Sequence, residues 1–226
     1  MVVQRATIQI FLNRLLQARY ALPTIIKWLK TDYPKVHLTL LQGSPNEIAD
    51  LLVSGQADVG IATESVDKQP ELASFPFYSW HHAIIVPEGH PLVGAGEIRL
   101  EILAEYPIIT YHEGFTGRAQ VDKAFADAGI VPDIVLSAID ADVIKTYVAL
   151  GLGVGVVASV AYDAEQDRNL ILIPAPHLFP ANTTRLAVRR GTYLRSYAHA
   201  FIEKVCPDLG EEAIKAALKP QNGNND

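Results

Sequence analysis

The stretch QGSPNEIADLLVSGQADVGIAT, residues 42–63, determines the fold class because it places a helix between two strand-forming segments. One strand is predicted just before it, at HLTLL, residues 37–41, and another at its end, at DVGIAT, residues 58–63. Ser44 can cap the intervening helix, and Glu47, three residues later, completes a capping box. The apolar residues that follow recur with helical spacing. The stretch therefore predicts a β-α-β unit, in which a crossover helix joins parallel strands.

The same alternation of β-rich and helical runs continues on both sides of this unit. Further strands are predicted at residues 83–86, 107–111, 134–137, 155–158, 170–173 and 185–188. Further helices are predicted at residues 22–33, 116–128, 140–151, 194–205 and 211–218. Alternating strands and helices are typical of α/β folds, so we expect an α/β fold with largely parallel sheets.

Two stretches resemble crossings between lobes, Tyr78 to His82 and the proline-rich Pro174 to Pro180. Two crossings imply one continuous lobe, residues 79–180, and one lobe built from both ends of the chain, residues 1–78 and 181–226. The polar run PQNGNND, Pro220 to Asp226, is typical of a disordered tail.

Charge and cysteine content limit the class of protein. The net charge is −6 at pH 7, whereas nucleic-acid-binding surfaces concentrate Lys and Arg. The one dense basic cluster, Arg185 to Arg195, is interpreted as a solvated strand end and helix start. The single cysteine, Cys206, allows no internal disulfide and suits a reducing compartment. Because neither a bilayer-spanning apolar run nor a signal-peptide pattern occurs, we expect a cytoplasmic protein without a membrane association.

Motifs of catalysis, metal binding and cofactor binding are missing from the sequence. It has no GxSxG, HExxH, CxxC or Walker-type GxxxxGK[ST] motif. His81 and His82 are adjacent, so on a strand their rings point to opposite faces and do not share a metal ion. The glycine run Gly151 to Gly155 follows a helix and precedes a strand, which is the reverse of dinucleotide-binding order. We therefore expect a binding module with no catalytic residue, no metal and no cofactor.

Three segments have features of an anion-binding site. In EGFTGR, residues 113–118, a strand has just ended and Thr116 opens a helix, so backbone N–H groups and a hydroxyl point outward together. Thr63 ends its strand at the carboxyl edge of the sheet, where open α/β sheets bind ligands, and Ser44 lies at the corresponding edge of the preceding strand. A purely structural role is the alternative for each residue. Thr116 and Ser44 would then be helix caps, and Thr63 an ordinary strand end.

Several long runs, in the same order, resemble the effector-binding domain of LysR-type transcription regulators. They include QARYALP (17–23), QGSP (42–45), GQADVGIATE (55–64) and DADVIKTYVALGLGVGVVAS (140–159), and the similarity extends from Gln17 to about Cys206. The runs are most similar to the branch of this family that controls cysteine biosynthesis and sulfur assimilation.

The resemblance implies two Rossmann-like lobes, like those of type II periplasmic binding proteins, with a ligand cleft between the lobes. It implies a small anionic effector: sulfate, thiosulfate, O-acetylserine or N-acetylserine. Carried over by position, Gln17, Thr63 and Thr116 contact the anion. Uncharged donors at helix starts suit a dianion that only accepts hydrogen bonds.

The chain departs from the family pattern just before Gln17. The family reads roughly TTHTQARY, whereas this chain has Asn13-Arg14-Leu15-Leu16 before Gln17, so Arg14 and Leu16 replace two hydroxyl donors. Arg14 would make a bidentate contact and shift the preference toward a larger or carboxylated ligand. Alternatively the segment is altered and the site impaired, or Arg14 faces solvent.

The resemblance also implies partners. Members of the family begin with a winged helix-turn-helix, which this sequence does not contain, so DNA binding is expected only through that missing amino-terminal domain. A homodimer is expected, and a tetramer for a full-length regulator. A periplasmic-type solute-binding protein for a small anion is the alternative. An enzyme on the same fold is a third reading, with only Glu64, Glu113 and His112 near the site as acid or base groups.

Overall fold

The computed structural model describes residues 7–12, 22–63, 65–115 and 117–219. In chain order the elements are β1 (Thr7–Leu12), α1 (Pro23–Asp32), β2 (His37–Gln42), α2 (Pro45–Val53), β3 (Val59–Ala62), β4 (Leu72–Trp80), β5 (His82–Pro87), α3 (Leu100–Leu103), β6 (Ile108–Tyr111), α4 (Arg118–Asp127), β7 (Ile134–Ala138), α5 (Ala141–Ala149), β8 (Val154–Ala158), β9 (Leu170–Pro174), β10 (Asn182–Arg189), α6 (Ser196–Val205) and α7 (Glu211–Ala217). Within the described part of the chain, no helix has both the length and the apolar character needed to cross a membrane.

The chain divides into two compact units. The first is Met1–Tyr78 with Thr183–Asp226, and the second is Ser79–Asn182. The second change of unit therefore falls between Asn182 and Thr183, inside β10, and not in the proline-rich stretch before residue 181. The physical reason is that both connections are continuous strands, β4 and β10, which leave one unit and enter the other without a loop.

The first unit has a five-stranded sheet in the order β2-β1-β3-β10-β4. Strand β1 is parallel to β2 and to β3, while β10 is antiparallel to β3. The sheet is thus mixed. In its parallel half, β1 lies between β2 and β3, the two strands of the predicted β-α-β unit. Its other half depends on β10, which comes from the far end of the sequence.

Helices cover both faces of this sheet. The side chains Ile8, Ile10 and Leu12 alternate along β1 and are at most 1% exposed, within a core formed with α1 and α6. On the other face, α2 contributes Ile48 and Leu52 to a smaller core. A Cβ at Gly60 would stand 2.6 Å from Ile48 Cγ2, so only glycine lets α2 pack this closely on β3.

The second unit has a five-stranded sheet in the order β7-β6-β8-β5-β9. Strand β6 is parallel to β7 and β8, and β5 is antiparallel to β8 and β9. Both sheets are therefore mixed, which corrects the expectation of largely parallel sheets. Periodicity identifies a strand but does not give its direction, because direction is set by a partner distant in sequence.

A buried ion pair ties α5 to the segment after β8. The Lys145 side chain, 7% exposed, donates to the Ala161 carbonyl (3.0 Å) and to Asp167 Oδ2 (2.9 Å). Burial acts to lower the pKa of Lys145, but hydrogen bonds and charges from Asp142 and Asp167 outweigh it and leave that pKa raised. The lysine remains charged because the ammonium is fully hydrogen-bonded within the unit.

Two strands, one short helix and one helix start differ from the sequence predictions. The sequence predictions do not include strands β1 and β4 or the one-turn helix α3. The predicted start of a helix at Thr116 is wrong: α4 begins at Arg118, and its N-cap is Gly117 in a left-handed conformation, φ +67. A glycine in this conformation begins the helix without any side-chain cap, which a search for Ser, Thr, Asp or Asn overlooks.

Candidate functional site

In the first unit, polar residues collect where the parallel strands end. Because β1, β2 and β3 run in the same direction, their carboxyl ends meet at one edge of the sheet. The Gly43 amide donates to the Leu12 carbonyl (3.2 Å), which joins the ends of β1 and β2. Ser44 follows β2, and Thr63 is the first residue after β3. The structure therefore places Ser44 and Thr63 at the edge expected for them.

Ser44 caps α2. Its Oγ accepts a hydrogen bond from the Glu47 amide (3.3 Å), and its own amide donates to Glu47 Oε2 (2.8 Å). The predicted capping box is thus confirmed. The hydrogen bonds from the Ser44 amide, and then from its side chain, lower the pKa of the Glu47 carboxyl. Ser44 keeps one hydroxyl hydrogen that this capping arrangement does not use.

A second contact at this edge was not expected from the sequence. The Ser65 hydroxyl donates to Asn46 Oδ1 (2.6 Å), which links the start of α2 to the loop after β3. Ser65 has a left-handed backbone, φ +71, in a residue that is not glycine. Such backbones are sparsely populated and cluster at functional sites, so Ser65 is a further candidate beside Thr63.

In the second unit, two helices begin at the corresponding edge. Strands β6, β7 and β8 are parallel, so their carboxyl ends also meet. Helix α4 begins after β6, with Gly117 at its N-cap, and α5 begins after β7, where the Asp140 side chain accepts from the Asp142 amide (2.7 Å). The start of α5 is therefore capped by a carboxylate. The start of α4 has no side-chain cap and no acidic residue in its first turn, so it repels an anion less than the start of α5 does. The Arg118 and Gln120 amides donate to the Phe115 and Gly117 carbonyls (2.8 and 2.9 Å).

Arg118 brings a buried cation to the start of α4. Arg118 is only 7% exposed. Its Nη1 donates to the Tyr111 carbonyl (2.6 Å), and its Nε is paired with Asp122 Oδ1 (2.6 Å). A cation in the first turn opposes the helix dipole, so its retention here requires these partners. The Arg118–Asp122 spacing of four residues was visible in the sequence, but it is equally typical of an exposed helix pair.

The predicted ligand residues divide into two groups. Ser44 and Thr63 lie inside the described residues, and Arg14, Leu16, Gln17 and Thr116 lie outside them. Within the described ranges there is also no group of three or more His, Cys, Asp or Glu side chains arranged to hold a metal ion. At the edge of the first sheet the described groups include the Ser44 and Ser65 hydroxyls and the Asn46 amide, which can hydrogen-bond an oxyanion. At the edge of the second sheet they include the Arg118 guanidinium and the Asp140 carboxylate.

The fold and the two sheet edges define a class of protein: a two-unit α/β domain in which helices begin at the carboxyl edges of both sheets. The family model of the LysR substrate binding domain matches residues 6–206. The chain therefore belongs to the LysR substrate-binding domain family.

Its curated relatives include several HTH-type transcriptional regulators. It is 55% identical over 203 residues to the HTH-type transcriptional regulator SsuR of Burkholderia cenocepacia, covering 90% of this chain and 66% of the relative. It is 52% identical to the regulator CysB of the same organism, covering 90% and 65%. With the regulator cbl of Escherichia coli the identity is 49%, covering 88% and 63%. The chain thus spans slightly less than two thirds of the length of these relatives.

A solved structure agrees with these relationships. The crystal structure of the cofactor-binding domain of the Cbl transcriptional regulator superposes with a TM-score of 0.90 at 45% identity, covering 97% of this chain and 96% of that one. The effector-binding domain of QuiR in complex with shikimate has a TM-score of 0.78 at 17% identity, which shows the shared fold alone. The family and the two-unit α/β architecture are therefore established.

Proposed function

We propose that this chain is the effector-sensing domain of a cytoplasmic transcription regulator of cysteine biosynthesis and sulfur assimilation. Its effector would be sulfate, thiosulfate, O-acetylserine or N-acetylserine, bound without chemical conversion. The observation that carries the proposal is 49–55% identity over about nine tenths of the chain to the regulators SsuR, CysB and cbl. Because the relatives are transcription regulators, the solute-binding alternative is not favoured.

The residues at the two sheet edges support a small oxyanion. Sulfate and thiosulfate remain dianionic at neutral pH and accept hydrogen bonds from hydroxyls, amides and helix-start N–H groups. We propose that Gln17, Thr63 and Thr116 contact the ligand, with Ser44 donating through its unused hydroxyl hydrogen. Within the described residues, two observations support this assignment: α4 has no acidic residue in its first turn, and Thr63 directly follows β3.

We propose that Arg14 and Leu16 alter which of these effectors the domain prefers. Where the family pattern supplies two hydroxyls, this chain supplies a guanidinium and an apolar side chain. A guanidinium binds a carboxylate through two parallel hydrogen bonds, so Arg14 favours an acetylserine over inorganic sulfate. If so, an Arg14→Thr variant would bind sulfate more tightly relative to N-acetylserine than the unchanged chain does.

For the whole protein we propose a homodimer through this domain and a tetramer at full length, with DNA bound by a separate amino-terminal domain. Each sheet has an edge strand with exposed apolar side chains that suit a second copy. In β2 these are Leu40 (42% exposed) and Leu41 (37%), and in β7 Val135 is 50% exposed. Unpaired strand edges of this kind readily add another chain. Sedimentation that shows only monomer at tens of micromolar would contradict this part.

Titration calorimetry of the four effectors tests the ligand assignment. The variants are Thr63→Val and Thr116→Val, which keep the side-chain shape and remove the hydroxyl. Losing one hydrogen bond to a charged ligand costs about 1.5–3 kcal/mol, so we expect the Kd to rise by about tenfold or more. Thr110→Val is the matched control, because the Thr110 hydroxyl donates inside the core to the Val156 carbonyl (2.9 Å).

We expect the control to lose stability but to keep the affinity of the unchanged chain. An unaltered Kd in both Thr63→Val and Thr116→Val would remove these residues from the site. Tight binding of none of the four effectors would contradict the proposed function itself.

A further inference from the structure

Two buried polar side chains lie against each other in the second unit, outside the set of predicted ligand residues. His82, on β5, is 1% exposed, and Asn182, at the start of β10, is 5% exposed. Asn182 Nδ2 lies 3.4 Å from His82 Nδ1 although the two residues are 100 positions apart. Apolar residues would fill the same space without the cost of desolvating polar groups, so the pair requires a specific explanation.

Aromatic rings fix the imidazole of His82. Its centroid lies 5.1 Å from the Trp80 ring, 5.7 Å from Phe179 and 6.4 Å from Tyr111, each in an edge-to-face arrangement. Rings packed in this way have little rotational freedom. The imidazole is therefore a rigid surface, and Asn182 is oriented by its contact with it.

The backbone at the start of α4 rests on this pair. A Cβ at Gly117 would stand 2.6 Å from Asn182 Oδ1 and 2.9 Å from His82 Cε1. Any larger residue would have to displace a buried side chain, and φ +67 is itself unfavourable for a residue with a side chain. The side chain of the next residue, Arg118, donates to the Tyr111 carbonyl (2.6 Å). The first residues of α4 are thus located by two separate contacts.

We infer that His82 and Asn182 are positioning residues, which set the place of the α4 start and thereby the affinity of the anion bound there. The inference rests on the proposed function, because it assigns the pair a role in that same site. A binding site gains affinity when residues behind it hold its donors at the required distance, since a displacement of about 1 Å costs much of a hydrogen bond. His82 and Asn182 would do this without touching the ligand.

A double variant that first creates and then relieves a steric clash between residues 117 and 182 tests the inference. Gly117→Ala should displace the α4 start, and Asn182→Ala should remove the nearest atom in its way, so the double variant should recover part of the loss. We expect Gly117→Ala to raise the Kd for sulfate and thiosulfate by about tenfold and the double variant to recover at least about threefold of this, as is typical of residues in direct contact. Leu103→Ala is the control. Leu103 is fully buried in the core of the same unit, but it lies on α3, which precedes β6, whereas the proposed anion site lies at the start of α4, which follows β6.

Hydrogen exchange of the peptide covering residues 112–118 provides a readout that needs no ligand. We expect faster exchange there in Gly117→Ala and Asn182→Ala than in Leu103→Ala when the three variants are compared at equal loss of thermal stability. Equal exchange in all three, or additive effects on Kd with no recovery in the double variant, would overturn the inference. If the unchanged chain binds neither anion, the proposed ligand fails, while the exchange comparison still decides whether the pair positions α4.

Discussion

Cys206 illustrates how a single side chain acquires its chemistry from its place in the fold. It follows α6, is 3% exposed and packs in the core of the first unit. Burial, and then the charge of Asp208, raise the pKa of the thiol to about 11. The reactivity of Cys206 is therefore set by its burial in the core of the first unit.

This pKa predicts slow alkylation. At pH 8 a thiol with a pKa about two units above its usual value has about a hundredfold less thiolate, and only the thiolate reacts. We expect iodoacetamide to label native Cys206 at least about a hundredfold more slowly than the urea-unfolded chain, with the rate rising as the pH increases toward 11. Equal rates for the native and unfolded chains would contradict the burial of this residue.

At the residue scale, the sequence identifies a role well when its partners are local. Ser44 and Glu47 are three residues apart, and their capping box was predicted and is present. His82 and Asn182 are 100 residues apart, and nothing in either local sequence indicates that they touch. Arg118 is intermediate, since its partner Asp122 is local, whereas its burial against the Tyr111 carbonyl is not.

At the element scale, α2 and α5 were recognised because caps, apolar spacing and terminating glycines agree with one another. Strand β1 was missed although its burial alternates along its length, because its role depends on insertion between β2 and β3. Helix α4 is predicted, but with its start at Thr116, because threonine is a preferred N-cap residue. The structure instead has the left-handed Gly117 as the N-cap.

Helix α2 offers a test that separates stability from ligand contact. Ser44→Ala removes the cap and should lower the free energy of unfolding by about 1 kcal/mol, as cap removal commonly does. Ser44→Asp keeps a capping acceptor, so its stability should stay within about 0.5 kcal/mol of the unchanged chain. Its added carboxylate should nevertheless weaken binding of sulfate or thiosulfate if Ser44 faces the anion.

Urea unfolding and titration calorimetry of the two variants provide the measurements. Unchanged anion affinity in Ser44→Asp would limit Ser44 to its capping role and remove it from the proposed ligand contacts.

At the scale of the whole molecule, two lobes with a central continuous one were expected, and two units are found, with the second boundary inside β10. Composition and periodicity led to the α/β class, and the order of several long runs led to the family. Neither composition nor the family resemblance predicted that β5 and β10 are antiparallel to their neighbours. A strand's direction is set by pairing with segments that are distant in sequence. We propose that a few side chains decide the identity of the effector, and of these Arg14, Leu16, Gln17 and Thr116 lie outside the described residues.

The central claim, that this domain binds a sulfur oxyanion or acetylserine at its helix starts, is tested most directly by crystals grown with thiosulfate and measured at a wavelength where sulfur scatters anomalously. We predict a paired sulfur peak within hydrogen-bonding distance of the Thr116 hydroxyl and the first amides of α4. N-acetylserine should displace this peak when added in excess. A fully occupied peak at any other place, or no peak at a thiosulfate concentration that calorimetry shows to be saturating, would contradict the account.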